Sequence, residues 1–113
     1  MMPAALHEPT GRTALVVMRV NGQMMLCPFF GKCDGVMVVD ANMGDPQYLP
    51  LERHTPDAMD QLIVATGAHR LILGFVRDAT ATRFRALGID VRLGSCACPV
   101  DELVAGFEDL PSA

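Results

Sequence analysis

Hydrophobic positions follow two rhythms along this chain, and the change between them falls at residue 54. Residues 13–20 (TALVVMRV) are rich in β-branched side chains and predict a buried strand. Asn21-Gly22 signals a turn, and residues 21–33 show neither a helical nor a strand period, which predicts a loop. Residues 35–41 (GVMVVDA) predict a second strand, and a turn around Gly44 and Pro46 follows. Residues 48–54 (YLPLERH) predict a third strand, whose Pro50 suits a sheet edge because it cannot donate to a ladder.

Beyond residue 54 the spacing becomes helical. Thr55-Pro56-Asp57 is a helix start: Thr as N-cap, Pro at the first helical position, an acid facing the dipole. Met59, Leu62 and Ile63 supply the inward stripe and Gly67 the stop. Residues 70–75 (RLILGF) predict a fourth strand. Residues 78–87 predict a second helix capped by Asp78, with Phe84 and Leu87 inward and Gly88 ending it. Residues 89–93 (IDVRL) predict a fifth strand. A last helix starts near Pro99, with Val100, Leu103, Val104 and Phe107 on one face.

The order β-β-β-α-β-α-β-α predicts an α/β fold. Three strands joined by short turns form an antiparallel meander, and two right-handed helical crossovers add parallel strands. The expected result is a five-stranded mixed sheet of order 3-2-1-4-5 with three helices. At 113 residues there is room for one core, expected over residues 13–110 behind a flexible leader at 1–12.

Composition narrows the function classes. Thirteen acids against nine Lys and Arg give a net charge of −4, which argues against sequence-independent nucleic-acid binding. No apolar run approaches the ~18 residues of a membrane span, and the first residues lack a signal-peptide pattern. The expected location is the cytoplasm. Thiols stay reduced there, so four cysteines point to metal, redox chemistry or burial rather than to a disulfide framework.

The stretch LCPFFGKCD sets two of those cysteines around a Pro-Phe-Phe-Gly-Lys turn. The expected topology carries it to the sheet edge where the parallel strands end, together with His54, Gly74 to Arg77, and Ser95 to Cys98. Ligands of open α/β sheets favour such edges. Candidate metal ligands are therefore Cys27, Cys33, Cys96, Cys98 and His54, with Gly31, Lys32, Gly74 and Arg77 as candidate cofactor-binding residues. Cys33 follows Gly31-Lys32, where a glycine lets the backbone approach a ligand and a lysine lowers a thiol pKa. Cys98 is expected at the N-cap of the last helix, where the dipole favours a thiolate; Ser95 capping with Cys98 packed inward is the alternative. Arg77, a cation at a helix start, invites an anion, yet an exposed arginine before a cap reads equally well. Met24 and Met25 offer soft thioethers or adaptable packing. Each cysteine also reads as a small buried hydrophobe. The spacings, five residues apart and C-x-C, match no standard zinc or ferredoxin pattern. No phosphate loop, G-x-S-x-G, H-E-x-x-H or C-x-x-C is present, so no enzymatic activity is expected.

PFFGKCDGVMVVDA and LILGFVRDATATRFRALGIDVRLG resemble the dinitrogenase iron–molybdenum cofactor biosynthesis family, the NifX and NifB C-terminal-domain type carriers. The resemblance runs from about Thr13 to Phe107. It implies a ribonuclease H-like fold without nuclease activity and a carrier role for an iron–sulfur or molybdenum-containing cluster or its precursor, with another soft metal as a variant. Cluster donor or acceptor proteins are the expected partners, with no nucleic acid and no membrane, and the expected state is a monomer or weak dimer. Phe29 stands where the family has histidine, and Gly74 is followed by Phe75 where the family carries a glycine pair. Ligation then shifts from imidazole to thiolate. The competing class is a protein- or anion-binding module of the same fold, with structural cysteines or a simple zinc site.

Overall fold

The computed structural model describes residues 12–28, 33–40, 46–53 and 55–113. In chain order these form β1 (Arg12–Val20), β2 (Gln23–Leu26), β3 (Gly35–Asp40), β4 (Gln47–Pro50), α1 (Pro56–Ala65), β5 (Arg70–Leu73), α2 (Asp78–Ala86), β6 (Asp90–Leu93) and α3 (Val100–Ala105). A 3-10 turn over Phe107–Asp109 follows. Among the described residues no helix is long and apolar enough to cross a membrane.

The sheet is mixed, as the change of rhythm predicts, but it has six strands rather than five, and its order differs from the expected one by the added strand β2. One path runs β4-β3-β1-β5-β6, and β2 pairs with β1 off that path. β3 and β4 are antiparallel, while β5 and β6 join parallel to β1. The strand absent from the expectation is β2. Asn21 and Gly22 both take positive φ, 51° and 82°, the geometry of a two-residue hairpin turn. Val20 therefore pairs with Gln23, and Val17 with Leu26.

Two backbone bonds show where β2 lies. The Cys27 N–H donates to the Val16 carbonyl at 2.8 Å, and the Asp34 N–H to the Val17 carbonyl at 3.0 Å. Successive carbonyls of a strand point to opposite edges, so β2 and β3 flank β1 on opposite sides. β2 thus shares an edge of β1 with β5. β5 pairs with Thr13 to Leu15, β2 with Val17 to Val20, and the two strands meet end to end.

Both faces of β1 are buried, which explains its continuous apolar run. On one face Ala14, Val16, Val36, Leu71 and Leu73 pack with Met59 and Ile63 of α1 and Phe84 of α2. On the other, Leu15, Val17, Leu26 and Ile72 pack with Leu103 and Phe107. The first face is covered by two helices of nine and ten residues, the second by a helix of six.

The helix starts and stops follow local chemistry. Thr55 Oγ1 accepts the Ala58 N–H at 3.1 Å, capping α1 as predicted, and Gly67 ends the segment with φ 72°. Two details differ. The N-cap of α2 is Arg77, with Asp78 inside the first turn. Leu87 is 59% exposed rather than inward, because α2 ends at Ala86 and the chain turns away through Gly88.

Of the five arginines over residues 70–92, Arg70, Arg83 and Arg92 make internal contacts, Arg83 pairing with Asp60. Arg70 and Arg92 stack on the Phe107 ring at 4.8 and 4.9 Å. Arg92 also donates to the carbonyls of Phe107, Glu108 and Leu110 and pairs with Asp90, a hydrogen bond that raises its pKa further. The C-terminal residues are fastened across β6 by the same means.

Candidate functional site

The head-on meeting of β2 and β5 creates a crowded backbone junction among the candidate residues. Gly74 follows β5 and abuts the end of β2. A Cβ placed on it would lie 2.6 Å from the Cys27 carbonyl oxygen, 2.8 Å from Cys96 Sγ and 3.1 Å from Pro28 Cα. Only glycine fits there. Three of the predicted residues, Cys27, Gly74 and Cys96, therefore converge at the carboxyl end of β5, where the topology places them.

The four cysteines do not act as one set. Cys27 and Cys33 form a disulfide, with Cα atoms 5.7 Å apart. Both are buried, at 2% and 0% exposure, in the core under α1 and α2. This departs from the expectation that the thiols stay reduced and that a disulfide has no part in the fold. As a disulfide, neither sulfur has a thiolate to donate, so the ligand role given to Cys27 and Cys33 does not describe this state. The physical reason lies in the strand ends: β2 finishes on one side of β1 and β3 begins on the other. The buried cysteines at those ends tie β2 and β3 together across β1.

Cys96 and Cys98 are free and half-buried, and they pack against the opposite core, beside Leu26, Ile72 and Leu103. They sit on a turn fastened by two bonds: the Cys98 N–H donates to the Ser95 carbonyl at 3.1 Å, and the Ala97 N–H to Ser95 Oγ at 3.2 Å. Cys98 is not the N-cap. That position belongs to Pro99, extended at φ −60° and ψ 149°, and α3 begins at Val100. Ser95 closes the turn, which matches the alternative reading in part. Burial pushes the Cys96 thiol above its ordinary pKa.

Arg77 is exposed at the start of α2, three residues beyond Gly74, and its side chain makes no capping bond. Gly31, Lys32 and His54 lie outside the described residues. Among the described residues, no three His, Cys, Asp or Glu side chains are grouped to hold a metal ion.

Sequence reasoning missed one feature of this side of the molecule. An open groove of 770 Å³ runs along it, lined by Met24, Met25, Met37 and Val39 from the sheet and by Pro99, Val100 and Val104 at α3. Ala97, between the two free cysteines, also borders it. The groove exists because α3 is too short to cover the sheet. The signal was present in Gly106, which cuts the apolar stripe of the last helix before Phe107.

No protein-family model and no curated protein matches the chain. Solved structures do match it. The apo form of the orange protein from Desulfovibrio gigas is 25% identical with a TM-score of 0.75, over 92% of this chain and 93% of that one. Two further matches carry nitrogenase-related names, and the likeness to them is one of fold. A Thermotoga protein named for NifB and placed in the DUF35 family shares the fold at 20% identity and a TM-score of 0.68, over 90% of this chain and 92% of that one. A Methanocaldococcus jannaschii protein named as a dinitrogenase shares it at 14% identity and 0.64, over 90% and 93%.

Proposed function

We propose that this chain is a non-enzymatic carrier for an iron–sulfur or molybdenum-containing cluster, acting in the assembly or storage of a nitrogenase-type cofactor in the cytoplasm. The cluster is cargo, received from and delivered to partner proteins by a monomer or weak dimer of ribonuclease H-like architecture. The observation that carries this reading is the placement of the free Cys96 thiol directly over Gly74, at the carboxyl end of a parallel strand. The neighbour described as an apo form, matched over nine-tenths of both chains, supports a bound group that can be absent.

In this reading the cargo rests on the less covered face. Cys96 and Cys98 offer thiolates, Gly74 allows close backbone approach, and Arg77 supplies positive charge to an anionic cluster. The test is purification without oxygen, followed by metal analysis and reconstitution with iron, sulfide and molybdate. Stoichiometric iron or molybdenum that stays with the protein through gel filtration supports the carrier. A metal-free protein that also refuses reconstitution rejects it.

A second reading has its own observation. The buried Cys27–Cys33 disulfide is structural in character, and the apolar groove suits a macromolecular contact. A protein- or anion-binding module would retain a partner or an anion with no metal present, which the same metal analysis separates from the carrier.

A further inference from the structure

Two thiols share one turn, and among the described residues no group of three His, Cys, Asp or Glu side chains includes them. Cys96 and Cys98 are two residues apart, so their Cα atoms lie within about 7 Å by chain geometry. A metal ion bridging two thiolates at bonds of about 2.3 Å needs sulfurs roughly 4–5 Å apart, well within reach of such a turn. The turn is held by the two bonds to Ser95, and Cys96 is backed by Gly74. Met25 pairs through its backbone with Pro99, and Met24, Met25 and Ala97 border the same groove, so thioethers stand on the same side of the molecule as this turn. The described residues group no three carboxylate, imidazole or thiol side chains. By themselves two thiolates fall short of the four ligands of a closed zinc site, and they hold an iron–sulfur cluster only if the cargo or a partner protein supplies the remaining ligands. It suits a soft monovalent ion that accepts two sulfurs.

We propose that the Cys96-Ala97-Cys98 turn is a two-thiolate site for a single soft monovalent metal ion of the Cu(I) class. This site is separate from the Cys27–Cys33 pair and does not require the cluster. On binding, each thiol gives up its proton, two metal–sulfur bonds form, and the complex carries one negative charge. No electron moves. The site rests on the same residues as the carrier reading but not on that reading being true, since the ion binds alone.

The test is an oxygen-free titration of the full chain with Cu(I) against a competing colorimetric chelator, with no iron, molybdenum or sulfide present. The expected result is one Cu(I) per chain, loss of both Ellman-reactive thiols on binding, and release of two protons. Cys96→Ser and Cys98→Ser should each weaken binding by about 100-fold while keeping the wild-type circular dichroism. Zn(II) should bind far more weakly than Cu(I). Binding that survives either serine variant, zinc held as tightly as copper, or no copper taken from the chelator overturns the proposal. If the serine variants fail to fold, thiol loss and proton release in the wild-type titration decide it: absence of either rejects the site. Copper binding without cluster reconstitution leaves this site standing and removes the carrier reading; reconstitution without copper binding does the reverse.

Discussion

The two faces of the sheet make opposite use of the same residue type. Beneath α1 and α2, Cys27 and Cys33 are sealed in a core with Met59, Ile63 and Phe84, and they are joined to each other. On the face with only the six-residue α3, Cys96 and Cys98 remain free thiols at the margin of an open groove. Helix coverage separates them. A buried cysteine pair contributes apolar contact and a covalent tie, whereas a half-exposed pair on a fastened turn keeps its chemistry available. Cysteine count and sequence position alone do not distinguish these roles.

The largest expected effect tests the closed face. Phe84→Ala should lower stability by about 3–5 kcal/mol, read by chemical denaturation, because a side chain 1% exposed leaves a cavity. Met37→Ala, half-buried on the open face, should lower it by about 1 kcal/mol or less. Equal losses would mean the groove is in fact filled and the two faces alike.

The disulfide comes next. The double variant Cys27→Ala/Cys33→Ala should lose about 2 kcal/mol, the loop-entropy contribution of so short a closed segment, plus a smaller packing term. Cys96→Ser/Cys98→Ser, measured without metal, should lose less. The reverse ranking would place the structural cysteines on the wrong face.

Gly74→Ala probes the junction between them. Its Cβ would collide with the Cys27 carbonyl and with Cys96 Sγ, so a loss of about 1–3 kcal/mol is expected, together with altered Cys96 alkylation. An unchanged protein would show that β2 and β5 do not meet as described.

The smallest effect is on pH dependence. Burial raises the Cys96 pKa, so the thiol stays protonated to higher pH than an ordinary cysteine. Alkylation of Cys96 by iodoacetamide, followed by mass spectrometry, should reach its half-maximal rate at a higher pH than in an unfolded peptide of the same sequence. The linked stability is fully present below the ordinary thiol pKa and is lost as pH rises through the raised one. An alkylation profile matching the peptide would contradict the half-buried setting of that sulfur.

Much of the fold was legible because local chemistry and global packing agree. Thr55-Pro56 announced α1, and the change from strand to helical period announced the switch from antiparallel to parallel pairing. β2 was missed because Gln23-Met24-Met25-Leu26 lacks β-branched residues; only Asn21-Gly22 marked its hairpin. The convergence of Gly74 with Cys27 and Cys96 followed from topology. The division of the cysteines between faces did not, since it depends on the register in which the unexpected strand β2 pairs with β1: Leu26, opposite Val17, packs on the α3 face, so the next side chain, Cys27, packs under α1 and α2.

The proposed carrier role places cargo chemistry on the open face. It is tested most directly by comparing cluster loading, as bound iron and molybdenum per chain after oxygen-free reconstitution, in wild type, Cys96→Ser/Cys98→Ser and Cys27→Ala/Cys33→Ala. Loading that is lost in the first double variant and retained in the second is the predicted result. Loading that survives without Cys96 and Cys98 but disappears without Cys27 and Cys33 would contradict it.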